Sequence, residues 1–174
     1  GVIPDDHDLV LGMTGFWGTK FINEKCKGAD WILGLGTRFA EADCSSWEKE
    51  FTFNFDKSKL IHIDIDSAEI GRNYPAAIGV VADLKQALKV RNRVAREMLP
   101  EGRRNQALRD EIVAFRKEFV AGNQQFATDD SFPMMPERIL AVVREVLPRD
   151  AIITTDVGWN KNGLAQQYPV YEPA

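Results

Sequence analysis

Three motifs follow one another along the chain: GLGTRF at 34–39, HIDIDSAEIGRN at 62–73 and ITTDVGWNKN at 153–162. Each is an apolar, strand-like run that stops at glycine or aspartate and leads into helical sequence. Open parallel sheets gather their ligands at just these carboxyl ends of strands. The pattern constrains the chain to an α/β layer and points to nucleotide-like or diphosphate-like ligands.

The surrounding periodicity agrees. WILGLG at 31–36 reads as a buried parallel strand behind an amphipathic helix at 19–27. LIHIDI at 60–65 is a second strand. GVVA at 79–82 is a third, feeding a helix over 84–99. Strand and helix alternating at this spacing predict a Rossmann-like, doubly wound parallel sheet. Between the first two strands, Phe51, Phe53 and Phe55 alternate as in an extended segment with one face inward.

Pro100, Glu101 and Gly102 break that helix. Residues 103–125 are highly charged, with Leu108, Ile112, Phe115, Phe119 and Val120 at helical spacing, and predict a solvated linker helix with one apolar stripe. The polar, proline-bearing stretch ATDDSFPMMP at 127–136 marks a boundary. A helix at 136–146 and a strand at 151–155 follow it, then a glycine turn and another helix. The expected division is a partial cofactor- or nucleotide-binding domain at 1–99, a helical linker at 100–132 and the opening of a second α/β domain at 133–174. One strand cannot satisfy its backbone groups without neighbours. Glycines at 12, 15 and 18 also stand without a strand ahead of them. The chain is therefore expected to be cut from a longer protein at both ends.

Composition excludes more than it assigns. The 174 residues carry a net charge of −4 with interspersed signs, which gives no basic stripe for nucleic acid. No apolar run approaches the roughly 18 residues of a membrane span. Cys26 and Cys44 form no CxxC pair, so two reduced thiols in a cytoplasmic protein are expected rather than a disulfide framework or a zinc site.

Each motif has a chemical and a structural reading. At Gly34-Leu35-Gly36-Thr37-Arg38, Gly36 would let a phosphate or flat ring approach and Arg38 would pair with the phosphate through its planar fork. Phe39 stands where a dinucleotide fingerprint has its third glycine, and a tight turn with a surface arginine is the other reading. Asp64 ends the second strand, where an acid accepts ribose hydroxyls. Asp66-Ser67-Ala68-Glu69 has the form of a capping box, and Asp83 sits equally well as an N-cap. His62 reads as a hydrogen-bonded strand histidine. In Asp156-Val157-Gly158, the helix that follows offers free N–H groups and a partial positive charge to an anion. The other reading is that Asp156 only caps that helix.

The ordered set GMTGFWGT, GADWILGLGTRF, KLIHIDIDSAEIGRN, VADLKQAL and TTDVGWN resembles the thiamine-diphosphate-dependent acetolactate synthase superfamily over almost the whole chain. HIDIDSAEIGRN followed by ADLKQAL is its most specific part. The resemblance implies a nucleotide site, FAD or ADP, at Gly15, Phe16, Trp17, Gly36, Thr37, Arg38, Asp64, Ile65, Asp83 and Leu84. Ala40, Glu41 and Ala42 stand where flavin-containing members carry two acids and an arginine, and Trp17 where many have histidine. It also implies that Val157, Gly158, Trp159 and Asn160 lie by the diphosphate of thiamine diphosphate.

No catalytic residue or metal ligand is expected within the chain. The resemblance places the activating glutamate in a preceding domain and the GDG motif that holds Mg2+ beyond Ala174. The implied parent is a homodimeric or homotetrameric enzyme acting on a small 2-oxoacid. A non-catalytic nucleotide-binding regulatory or scaffold module is the rival reading. An NAD-dependent oxidoreductase fits less well, because the glycine turn is incomplete and no catalytic His or Tyr constellation accompanies it.

Overall fold

The computed structural model describes residues 3–172. Its compact units are Thr14–Arg104 and a second made of Gly1–Met13 with Asn105–Ala174. By compactness, then, the first residues and the expected linker helix group with the C-terminal part.

The first unit is α/β. Strands β1 (Trp31–Leu35), β2 (Lys59–Asp64) and β3 (Ile78–Val81) form a three-stranded sheet in that order. All pairings are parallel, with Gly34 opposite His62 and Asp64 opposite Val81. Helix α1 (Lys20–Lys27) precedes β1 and α2 (Leu84–Met98) follows β3, each within a residue or so of expectation. Thr19 caps α1 by accepting from the Ile22 amide, and Asp83 caps α2 by accepting from Gln86 at 3.0 Å.

The core is aromatic. Phe39, Cys44, Phe53, Leu60 and Tyr74 cluster with Phe55 against β1 and β2. Phe39 is the hub, meeting Phe53 and Tyr74 edge-on at 5.6 Å between centroids. Phe53 stacks on Phe55, while Phe51 turns out to solvent. The expected extended run at 51–55 is therefore a turn with two inward rings and no ladder. Phe39 fills the space in which a fingerprint glycine would leave room for a ligand. The glycine turn continues into a 3-10 segment (Glu41–Trp47), kinked at Ser45 and Ser46, and not into an α-helix.

The segment after β2 also departs from expectation. Residues 67–71 form turns, with no helix to cap. Asp66 accepts from Ala68, its own amide is held by the Asp64 carboxylate at 2.9 Å, and Glu69 pairs with Arg72 instead of reaching back. Both halves of a capping box are spent elsewhere. Strand β2 ends at Asp64, leaving Ile65 exposed.

The second unit contains α3 (Gln106–Ala127), α4 (Pro136–Val146) and α5 (Trp159–Gln167). Ile112 is the buried centre of the α3 stripe and Phe115 packs on Phe119, whereas Val120 falls off the stripe into solvent. Arg116 donates to the carbonyls of Asp5, His7 and Val10, and Arg149 bridges Asp6 and Glu172. The expected strand at 151–155 is absent among the described residues: the segment has no partner to complete a ladder, and Ile152 stays exposed.

Candidate functional site

The first candidate site is the turn beyond β1. Gly36 continues the sheet by donating to the Ile63 carbonyl at 2.9 Å, and its φ of +59° is a conformation that favours glycine. A side chain there would meet Leu84 Cδ1 at 2.8 Å, so Leu84, the first residue of α2, lies over the turn. Gly36, Thr37, Arg38, Asp64, Asp83 and Leu84 are thus gathered where β1, β2 and β3 end. Arg38 is exposed and enters no ion pair or side-chain hydrogen bond among the described residues. Asp64 is buried, with Oδ1 committed to the Asp66 amide. Asp83 acts as a helix cap.

His62 explains how the turn is held. Its buried ring accepts from the Gly71 amide through Nδ1 at 3.3 Å, which leaves Nε2 to donate to the Thr37 carbonyl at 2.9 Å. The next carbonyls are drawn in as well. Asn73 donates to those of Arg38 (2.9 Å) and Phe39 (3.2 Å), and the Trp47 indole to that of Phe39. Asn73 and Trp47 were given no role by sequence reasoning, although Asn73 closes the IGRN motif.

The 14–17 segment behaves differently. Gly15 is buried with φ +77°, and a side chain there would lie 2.0 Å from the Ala42 carbonyl. Its close approach is to the protein's own backbone. Asn23 clasps it with two 2.9 Å hydrogen bonds and also accepts from Thr52, a pairing with no signal in the sequence. Phe16 is exposed and Trp17 half-buried. Thr14 and Thr37 line one cavity of about 330 Å³ whose wall includes Cys26, Cys44 and Phe39. Burial pushes the Cys44 thiol up to about 12 and the Cys26 thiol up to about 11, so both walls are neutral thiols.

The second candidate site is the start of α5. Its N-cap is Gly158, with φ +148° and no side-chain cap. Asp156 instead accepts from the Val157 amide at 2.6 Å, so it does not cap the helix. Asn160 folds back onto Thr155 and the Asp156 carbonyl. Val157 and Trp159 are exposed. The amides of Trp159 and Asn160 open the helix toward an incoming anion, and no Cβ at 158 obstructs it. These donors suit a diphosphate. Magnesium finds no such set: among the described residues no group of three or more His, Cys, Asp or Glu is placed to hold a metal.

No helix among the described residues is long and apolar enough to cross a membrane. Residues 1–90 match the family described as the thiamine pyrophosphate enzyme, central domain. Along 99% of its length the chain is 33% identical to a glyoxylate carboligase of Escherichia coli O157:H7, covering 28% of that protein. It is 32% identical to a probable acetolactate synthase large subunit of Methanocaldococcus jannaschii, covering 29%. A chloroplastic acetolactate synthase of Arabidopsis thaliana is 31% identical, with 25% covered. The chain spans under a third of the length of these relatives. With its parallel sheet and its glycine turn where that family's central domain is matched, the chain belongs to the thiamine-pyrophosphate-dependent, acetolactate synthase-like superfamily.

Proposed function

We propose that this chain is part of a thiamine-diphosphate-dependent enzyme that decarboxylates or ligates small 2-oxoacids. The observation that carries the reading is the match, along nearly the whole chain, to both a glyoxylate carboligase and acetolactate synthases. The amides of Trp159 and Asn160 at the start of α5 would hold the cofactor diphosphate, with no Cβ at Gly158 in the way. When bound, thiamine diphosphate supplies the carbanion-stabilising group for the 2-oxoacid. The protein's part here is to bind and orient. Magnesium and the activating acid come, in this reading, from residues outside those described, and the chain alone is inactive.

The turn at Gly36 holds an adenine nucleotide, FAD or ADP, in the same reading. Arg38 reaches a phosphate through its exposed guanidinium, and Asp64 faces a ribose with its remaining carboxylate oxygen. The experiment is assay of the full-length protein with pyruvate and with glyoxylate, with and without thiamine diphosphate and Mg2+. Cofactor-dependent release of carbon dioxide supports the proposal. A full-length protein that binds nucleotide but turns over neither 2-oxoacid favours the non-catalytic module.

A further inference from the structure

We infer that His62 and Asn73 are positioning residues that hold the 36–39 turn with its amide donors facing outward, toward an anion. The inference rests on the nucleotide reading above. A trans peptide is planar, so the carbonyl of one residue and the amide of the next point in opposite directions. His62 pulls the Thr37 carbonyl inward at 2.9 Å, which turns the Arg38 amide away from the buried ring. Asn73 and Trp47 hold the Phe39 carbonyl, which turns the Ala40 amide to the side opposite those two side chains. Among the described residues neither amide has a partner. The amide between them, of Phe39, is occupied by Thr37 Oγ1 at 3.2 Å.

The unpartnered Arg38 and Ala40 amides, with the exposed Arg38 guanidinium, are a donor set suited to phosphate oxygens. The same histidine anchors the far side, because Gly71 donates to its other nitrogen. The IGRN segment is in this way a brace for the glycine turn, which accounts for the pairing of the two motifs along the chain. Neither His62 nor Asn73 touches the ligand. Both act through the peptide planes they orient.

The test uses the full-length protein, titrated calorimetrically with adenosine, AMP and ADP. Losing a hydrogen bond that orients donors to a charged group predicts a fall in ADP affinity of about ten-fold for His62→Phe and for Asn73→Ala. Adenosine affinity stays unchanged, and His62→Gln, which keeps a donor, recovers part of the loss. Asn73 is exposed, so its variant folds even where the buried histidine variant does not. Equal losses for adenosine and ADP, or no loss for either variant, would overturn the inference. If the wild type gains nothing from adenosine to ADP, the nucleotide reading itself fails. Hydrogen exchange then decides the brace: faster exchange over 36–40 in both variants, and at Gly71 in His62→Phe, sustains it, and unchanged exchange refutes it.

Discussion

Leu84 Cδ1 stands 2.8 Å from where a Cβ on Gly36 would lie, so the first residue of α2 closes over the turn that ends β1. The two positions are far apart in sequence and constrain each other directly. Gly36→Ala meets two penalties there, a left-handed backbone (φ +59°) and the leucine methyl. The backbone term costs about 1–2 kcal/mol. The leucine end is flexible and gives way. Gly15→Ala has no such relief, since its neighbour at 2.0 Å is the Ala42 backbone carbonyl, and about 3 kcal/mol or more is expected. Urea denaturation of both variants should rank Gly15→Ala as the worse. The reverse order would mean that the 42–43 backbone yields more readily than its packing implies.

Asp83 offers a cleaner separation of structure from binding. Its carboxylate accepts from the Gln86 amide as the N-cap of α2. Asp83→Ala should destabilise the protein by about 1 kcal/mol, and Asp83→Asn by no more than a few tenths, because asparagine caps as well. Nucleotide affinity should be unchanged in the asparagine variant. Weakened ADP binding without loss of stability would restore a ligand role to this aspartate.

What could be read from the sequence was local. The three parallel strands, α1, α2 and the Asp83 cap follow from short-range periodicity and capping chemistry, and they stand within a residue or two of expectation. The failures share a cause. Residues 151–155 have the composition of a strand, yet a strand needs a partner that composition does not supply. Asp66 to Glu69 has the spacing of a capping box, but Asp64 and Arg72 compete for its groups. Phe39 looked like a missing glycine and proved to be the hub of the aromatic core. Of the site, Gly36 and Arg38 were visible as a motif. The clasp of Asn23 on Gly15 and the grip of Asn73 on the turn were not, because they depend on contacts between separate elements.

The buried thiols set an alkaline limit. Burial raises Cys44 from the usual 9.0 to about 12 and Cys26 to about 11. It also raises Tyr74, with the Cys44 thiol adding to the effect. A thiol whose folded pKa is raised loses its proton first in the unfolded chain. Its contribution is complete below pH 9 and is lost as pH climbs through 11 to 12. The melting temperature should accordingly fall from about pH 9 upward, and Cys44→Ala should flatten that fall while lowering stability at pH 7. Thiol labelling at pH 8 should be slow in the native protein. Rapid labelling of Cys44 would mean that its burial is not maintained in solution.

Gly158 tests the diphosphate reading at its narrowest point. As a glycine N-cap (φ +148°) it gives α5 no side-chain cap, and a Cβ there would meet Asn160 Oδ1 at 2.8 Å. Gly158→Val in the full-length protein would place a branched side chain over the amides proposed to hold the diphosphate. Thiamine diphosphate affinity should fall by about a hundred-fold or more, equivalent to the loss of two charged hydrogen bonds. ADP affinity at the Gly36 turn should stay as it was. Misfolding would impair both ligands, so the pair of titrations distinguishes local obstruction from global damage. Undiminished thiamine diphosphate binding would leave Gly158 as a residue that merely turns the chain, and the cofactor would have to be held elsewhere.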